Sequence, residues 1–437
     1  MNTNDIHITL PASKSISNRW LVVNHFNGGA FHLSGLSTSD DTVLLRRLLS
    51  QIESRTGVFY CDNAGTVSRF LIAVLAVTPG RHFVTGDERL KSRPIAPLVD
   101  ALNAMGFDIS YAEREGCLPL NIVGRPVPLR KMAFIDASQS SQFVSALLLM
   151  GVSLPKGIRV NLTTKVASAS YVDMTMSVLR EAGYIVEQNP TNRSVSLLPR
   201  VEALSGRRSV EIEPDWSAAG YFYLLAVVCP DVRMRLLGLS RQSVQGDSVV
   251  ADYFARLGVV TSEVRSPYRK GVSSLRIQGG ASRDRRVYFT FRNCPDLFPA
   301  VAVACAYLGV GARFSGLSTL RLKESDRIDA MLQELTSMGS VVSVDHRGDM
   351  VIRASRKPLS PTRPVRTYGD HRIAMAFAPL TFVCPGLEIE NPEVVSKSFP
   401  DFWIQLQLVR DQLEGRRTLG AEVKDVKKSA GIPKYRP

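Results

Sequence analysis

The sequence predicts an α/β protein of two domains, each assembled from repeated units. Its 437 residues are more than a single core usually organises. Five helix-like stretches end on a glycine and pass into strand-like sequence, at Gly106, Gly183, Gly258, Gly339 and Gly415, with spacings of 77, 75, 81 and 76 residues. Small polar residues, often with one Arg or Lys, recur where strand-like runs give way to helix-like ones. Each stretch has apolar residues at helical spacing, a glycine suited to a left-handed stop, and β-rich sequence behind it. Near-constant spacing marks a duplicated α/β unit, and about six units fit the length, naturally two domains of three. A further candidate ends at Gly57, off the period.

Composition bounds the function. An apolar fraction of 45% and a charged fraction of 22% describe an ordinary globular chain. No apolar run is long enough for a transmembrane helix, and Met1-Asn2-Thr3-Asn4-Asp5 does not open a signal peptide. Six scattered cysteines without a CxxC pair suit a reducing cytoplasm and argue against zinc or disulfides. The net charge of +14 fits either a nucleic-acid or membrane surface, or cations gathered on a multiply anionic small molecule. The tail from Gly415 to Pro437 carries seven Lys or Arg and two acids and reads as a poorly ordered basic extension.

The junctions decide between these, taken in chain order. Leu10 to Arg19, LPASKSISNR, places Lys14 and Arg19 among Ser13, Ser15, Ser17 and Asn18 before an apolar run. A helix start with free N–H groups and a favourable dipole there attracts an anion, although a capped surface helix would look alike. Asp62-Asn63-Ala64-Gly65-Thr66 sits between strand-like and helix-like runs, where Gly65 admits close approach and Asn63 and Thr66 can donate. Lys91-Ser92-Arg93-Pro94 opens a helix, with Pro94 suited to its first position and Arg93 beside an anion site. Ser140, Ser141 and Gln142 precede one apolar helix, and Ser168 and Tyr171 another. Asp215 and Asp296 each stand before an apolar helix, as an N-cap or, given cations around it, as a base. Arg321 to Arg327, RLKESDR, is the densest charge cluster, containing Lys323 and Glu324; GDHRIAM brings His371 and Arg372, and VSKSFPD brings Lys397. No Walker loop, Rossmann glycine pattern or Ser-His-Asp signature occurs. Many helix N-termini and cations enclosing one polyanionic substrate fit the pattern. With cations on both halves, an empty cleft is expected to repel itself and stand open.

In this order LPASKSISNR, DNAGT, RPIAPLVDAL, SSQF, RLKESDR, GDHRIAM and VSKSFPDF resemble the motifs of the 5-enolpyruvylshikimate-3-phosphate synthase family, from Leu10 to about Leu406. The resemblance implies the two-domain enolpyruvyl transferase fold, three βαβαββ units per domain in an inside-out α/β barrel, with the active site in the interdomain cleft. Residues 1–12 and 213–414 would form the first domain, 13–212 the second, and 415–437 the tail. It implies transfer of the enolpyruvyl group of phosphoenolpyruvate to the 5-hydroxyl of shikimate 3-phosphate, through a tetrahedral intermediate with release of phosphate, on the shikimate pathway to chorismate and the aromatic amino acids. A cytoplasmic monomer is implied, with no metal or organic cofactor and no nucleic-acid or membrane partner. By the same resemblance Asp296, Glu324 and Lys14 are catalytic. Shikimate 3-phosphate would meet Lys14, Ser15, Arg19, Ser140, Ser141, Gln142, Ser168, Tyr171, Asp296 and Lys323. Phosphoenolpyruvate would meet Lys14, Asn63, Gly65, Arg93, Gln142, Arg327, His371, Arg372 and Lys397.

The chain departs from the family pattern at Ala12, Ser68, Phe70, Thr319 and Gly369; Phe70, where Pro is usual, lies in the helix that carries the Gly65 turn. The related transferase acting on UDP-N-acetylglucosamine has a KSNC-like start and a loop cysteine. Here the start is SKSISNR, and Cys117 in EREGCLPL reads as lacking a basic neighbourhood. A nucleic-acid-binding protein, suggested by charge alone, lacks interleaved aromatics or a recognition module.

Overall fold

The computed structural model describes residues 5–53, 57–200, 206–265, 273–281 and 284–429. Four sheets repeat one topology. In the clearest, Val58–Tyr60 pairs in parallel with Gly80–Thr85, which pairs antiparallel with Leu120–Gly124, which pairs antiparallel with Asp108–Tyr111. Helices Gly65–Val77 and Ala96–Ala104 make the two crossovers, so the unit reads β-α-β-α-β-β. The sheets begun by Met132–Ile135 and Arg286–Thr290 do the same. In the fourth, the first strand is Ile6–Ile8 from the start of the chain, laid parallel to Arg233–Leu237.

The expectation of three full units per domain needs correction. Among the described residues four are complete and two are reduced. One keeps only Phe31–Ser34 parallel to Arg208–Glu211, because the chain builds two other units between those strands. The other keeps a single bridge, Val365 to Ile389, after which the chain enters a 3₁₀ turn and its last helix instead of a hairpin. No sheet closes into a barrel among the described residues.

Helices fill the centre and sheets lie outside. Every residue of Trp216–Val228 and of His371–Phe377 is buried, and only Thr66 escapes burial in Gly65–Val77. Beyond their polar first turns these helices are apolar on nearly every side, as helices enclosed by other helices and a sheet are. The strands alternate instead: Met132 and Phe134 are 51% and 59% exposed on the outer face of their sheet, while Ala133 and Ile135 face inward at 1%. Two separate cores result. One runs from Ile16 to Ile212; the other unites Ile6, Ile8 and Leu10 with residues from Trp216 to Val409. The two connections between them run side by side. Ala12 bridges Pro214, Ser13 N–H donates to the Glu213 carbonyl at 2.9 Å, and Asp215 N–H donates to that of Pro11 at 2.9 Å.

Four of the five spaced glycines stop their helices in the left-handed region, Gly106, Gly183, Gly258 and Gly339, at φ between +86° and +97°. Gly415 does not. The helix Phe402–Ser429 passes through it, so the backbone is helical as far as Ser429. Residues 430–437 lie outside the described residues, as do 54–56, which lead to Gly57. Pro94 is not a first helical residue either: that helix starts at Ala96, with Pro97 in its first turn.

Candidate active site

One cleft between the two cores gathers helix N-termini from both. Lys14, Thr66, Ser141, Arg327 and His371, each within the first two residues of a helix, line it, together with Asp296 one turn before another. Several of these starts are capped by the residue types that prefer such sites. Ser13 accepts from Ile16 N–H at 3.5 Å, Ser140 from Gln142 N–H at 3.2 Å, and Asp326 from Ile328 N–H at 3.1 Å. Asp215 accepts from Ala218 N–H at 2.9 Å and, through its other oxygen, from Lys14 N–H at 3.3 Å. The Gly65 helix has no side-chain cap at Ala64.

Asp296 is not a cap. Arg327 Nη1 donates to its Oδ1 at 2.7 Å and Arg372 Nη2 to its Oδ2 at 2.7 Å; Lys323 Nζ stands 3.5 Å from Oδ1, and the Tyr171 hydroxyl donates to Oδ2 at 3.3 Å. Burial alone would raise its pKa, but Arg372, Lys323 and Arg327 hold it well below the ordinary carboxylate range. Glu324 is in the same position. Burial opposes ionisation, yet Arg327, bonded at 2.8 Å, with Arg93 and Lys397, keeps it ionised. Arg327 is held in turn: Nε donates to Asp370 Oδ2 at 2.7 Å. His371 is pushed well below its usual pKa by burial and by Lys14 and Arg372, so it is neutral, and its 3.8 Å approach to Asp370 is no ion pair.

On the facing half, Lys14 Nζ meets Asp41 Oδ2 at 3.0 Å, and Lys397 Nζ reaches across to Asp41 Oδ1 at 3.1 Å. Arg93 is 5% exposed and lines the cleft, yet its Nε and Nη1 lack a partner among the described residues. A buried cation left this way calls for an anion.

The structure brings Lys14, Ser15, Arg19, Arg93, Ser140, Ser141, Gln142, Ser168, Tyr171, Asp296, Lys323, Glu324, Arg327, His371 and Arg372 to this one cleft. Three expected residues stand behind its wall. Lys397 is tied to Asp41 and to the Asn63 carbonyl at 3.0 Å, and Gly65 lies under the Arg93 guanidinium. Two expected anion holders are occupied by protein. Arg19 donates to Thr175 Oγ1 at 2.7 Å and to the carbonyls of Ser15 and Tyr171 at 2.8 and 2.9 Å; burial lowers its pKa to about 10, still cationic at neutrality. Arg327 spends its donors on three carboxylates.

Sequence reasoning missed Asp41, Arg69 and Asp370. Asp41 ends Ser37-Thr38-Ser39-Asp40-Asp41 at a helix start, the same small-polar signal as its neighbours, but without a cation to draw attention. Arg69 lines the cleft and donates to the carbonyls of Gly65 and Pro94, each at 3.1 Å, binding the Gly65 turn to the segment that carries Arg93. Asp370 caps the His371 helix while holding Arg327. Cys117 does have a basic neighbour, Arg114, whose Nη2 lies 2.7 Å from its Sγ; the thiol is nevertheless buried and outside the cleft lining.

Nor does the cleft stand open. Lys397 to Asp41, Tyr171 to Asp296, and Ser170 to the Asn293 carbonyl all cross between the halves. The expected repulsion is offset by carboxylates placed among the cations, Asp41 and Asp370 buried and Asp296 and Glu324 partly buried. Among the described residues no cluster of His, Cys, Asp or Glu is arranged to hold a metal ion, and no helix is long and apolar enough to cross a membrane.

The family model of EPSP synthase (3-phosphoshikimate 1-carboxyvinyltransferase) matches residues 32–406. The chain belongs to the EPSP synthase family. Members named 3-phosphoshikimate 1-carboxyvinyltransferase from Bacteroides fragilis (strain YCH46) and Laribacter hongkongensis (strain HLHK9) are 36% and 33% identical to it. These matches cover 92% and 91% of this chain and 94% and 95% of theirs. An EPSP synthase structure from Acinetobacter baumannii superposes with a TM-score of 0.70 at 23% identity, covering 92% of this chain and 94% of that one. At that identity the likeness speaks for the family's two-domain fold.

Proposed function

We propose that this chain transfers the enolpyruvyl group of phosphoenolpyruvate to the 5-hydroxyl of shikimate 3-phosphate, releasing phosphate. One observation carries the reading: a partly buried, ionised Asp296 among Arg372, Arg327 and Lys323, in the same cleft as Lys14 and an Arg93 whose Nε and Nη1 lack a partner among the described residues. Two substrates with several phosphate and carboxylate groups need such a set of cations.

The roles divide by charge. The substrate hydroxyl oxygen attacks the central carbon of the enol, its proton passes to Asp296, and the methylene carbon takes a proton from the Lys14 ammonium. The resulting intermediate loses phosphate by C–O cleavage. A carboxylate, Glu324, then takes a methyl proton and the double bond returns. Asp296 is a weak base while three cations face it. A dianionic phosphate placed against Arg372 shares that field, and Asp296 becomes basic only when both substrates are in place. Anions on Lys14, Arg93 and the free N–H groups of the Gly65 helix complete the binding.

We assign the domains to 13–212 and to 1–12 with 213–414, following the two cores. We take the enzyme to act in the cytoplasm as a monomer, without nucleic acid; six scattered cysteines with no CxxC pair favour a reducing compartment. Phosphate release tests the reaction. Release that requires both substrates together supports it, and release or silence independent of shikimate 3-phosphate overturns it.

A further inference from the structure

Arg89 does not itself line the cleft, yet it makes one of the closest links between the two halves. It sits in the single-turn helix Glu88–Lys91, which Asp87 caps by accepting from Leu90 N–H at 2.7 Å. Its guanidinium reaches across to the other half and, among the described residues, meets backbone oxygens only. Nε donates to the Glu324 carbonyl at 3.1 Å, and Nη2 to the Lys323 carbonyl at 2.8 Å and the Arg321 carbonyl at 3.4 Å.

The Arg321 carbonyl lies in the last turn of the 3₁₀ helix Ser318–Leu322 and those of Lys323 and Glu324 follow directly, where a helix end leaves oxygens without helical partners and the local dipole favours a cation. The planar fork of an arginine can serve two carbonyls at once, which an ammonium cannot do with fixed geometry. The segment so held carries chemistry. Lys323 stands 3.5 Å from Asp296, Glu324 pairs with Arg327, and Thr319 lines the cleft with its Oγ1 buried and unpartnered among the described residues.

We propose that Arg89 is a positioning residue, a latch that supplies the missing partners of the Arg321–Glu324 backbone when the halves meet and thereby sets Lys323 and Glu324 against the substrates. The inference rests on the reaction proposed above for its kinetic consequence and on the cross-cleft hydrogen bonds for its structural one. A displacement of about 1 Å in a reacting group costs up to a hundredfold in rate. Two other cross-cleft contacts differ in kind, since Tyr171 and Lys397 bind charged side chains within or beside the site, while Ser170 binds the Asn293 carbonyl, away from Lys323 and Glu324.

The test compares wild type with Arg89→Ala, Arg89→Lys and the neighbouring Glu88→Ala, whose side chain is 92% exposed. Arg89→Ala is expected to lower kcat about ten- to a hundredfold while KM for shikimate 3-phosphate changes far less. Arg89→Lys recovers part of the rate, and Glu88→Ala matches wild type. Two readouts need no turnover. Free Arg89→Ala has a larger radius of gyration by small-angle scattering, and its amides at 323–326 exchange faster, with the melting temperature within a few degrees of wild type. A kcat within threefold of wild type with unchanged radius and exchange overturns the latch, as does a rate loss that merely follows a lowered melting temperature. A wild type that releases no phosphate refutes the reaction instead, while scattering and exchange still decide the latch.

Discussion

Asp296 has three cations and a phenol around its two oxygens, and no helix to cap. Its substitution therefore affects chemistry before folding. Asp296→Asn keeps the shape and removes the proton acceptor, and turnover should fall on the order of a hundredfold or more while shikimate 3-phosphate binding changes much less. Turnover within a few-fold would remove it from the mechanism. Asp247 is the opposite case. It is buried near Asp296, bonded by the Ser217 hydroxyl, with Oδ1 unpartnered among the described residues. Burial first, then Asp296 and Asp215, push its pKa up to about 7, against the pull of Ser217 and Arg372. Its folded pKa lies above the unfolded value of about 3.9, so the proton is held more tightly in the folded chain. Stability from this group is complete below about pH 4 and is lost as pH rises toward about 7. Asp247→Asn, which cannot ionise, should melt higher than wild type at pH 8 and close to it at pH 4. Equal differences at both pH values would contradict the assignment.

At the scale of elements, helix starts act in pairs. Asp370 caps the His371 helix through Arg372 N–H at 2.9 Å and fixes Arg327, at the start of another helix, at 2.7 Å. Arg69 likewise ties the Gly65 helix to the Arg93 segment. Close approach there depends on Gly65. A Cβ at that position would lie 2.5 Å from Arg93 Nη2, so a methyl must push the guanidinium aside. Gly65→Ala should raise KM for phosphoenolpyruvate about five- to a hundredfold, the equivalent of 1–3 kcal/mol, with little change in KM for shikimate 3-phosphate. Steady-state kinetics with each substrate varied in turn decides it, and an equal effect on both would point to general damage. Phe70, on the same helix, is 1% exposed and lies under Arg19, whose guanidinium carbon is 5.5 Å from the ring centroid. One of the residues that depart from the family pattern thus packs beneath a cleft-lining arginine.

For the whole molecule, the pairing of buried cations with carboxylates leaves the halves in contact, while the chain as a whole keeps a net charge of +14. Both proposed substrates are anions, so the long-range field should speed their arrival. Raising KCl from about 0.05 to 0.3 M shortens the Debye length from roughly 14 to 6 Å and should lower kcat/KM several-fold at low substrate, with kcat nearly constant. A kcat/KM indifferent to salt would confine the role of the charge to contact distance.

Much of the fold and the cleft could be read along the chain because it is written in local terms. Glycine stops at Gly106, Gly183, Gly258 and Gly339 and small polar residues at helix starts are properties of a few neighbouring residues, and backbone sterics and unpaired N–H groups act over that same range. Order along the chain was enough to recognise the family motifs. Partnership could not be read that way. Arg19 and Arg93 look alike as cations beside helix starts, but one is bound to Thr175, Ser15 and Tyr171 and the other has unpartnered nitrogens. Lys397 lies behind the wall because Asp41, 356 residues away, takes its charge. Asp41 and Arg89 stood out little in sequence, since each matters only for what the opposite half brings to it. The closed cleft is decided at the same level. Coulomb energies and desolvation depend on distances across space, and the long-range packing of two cores sets those distances.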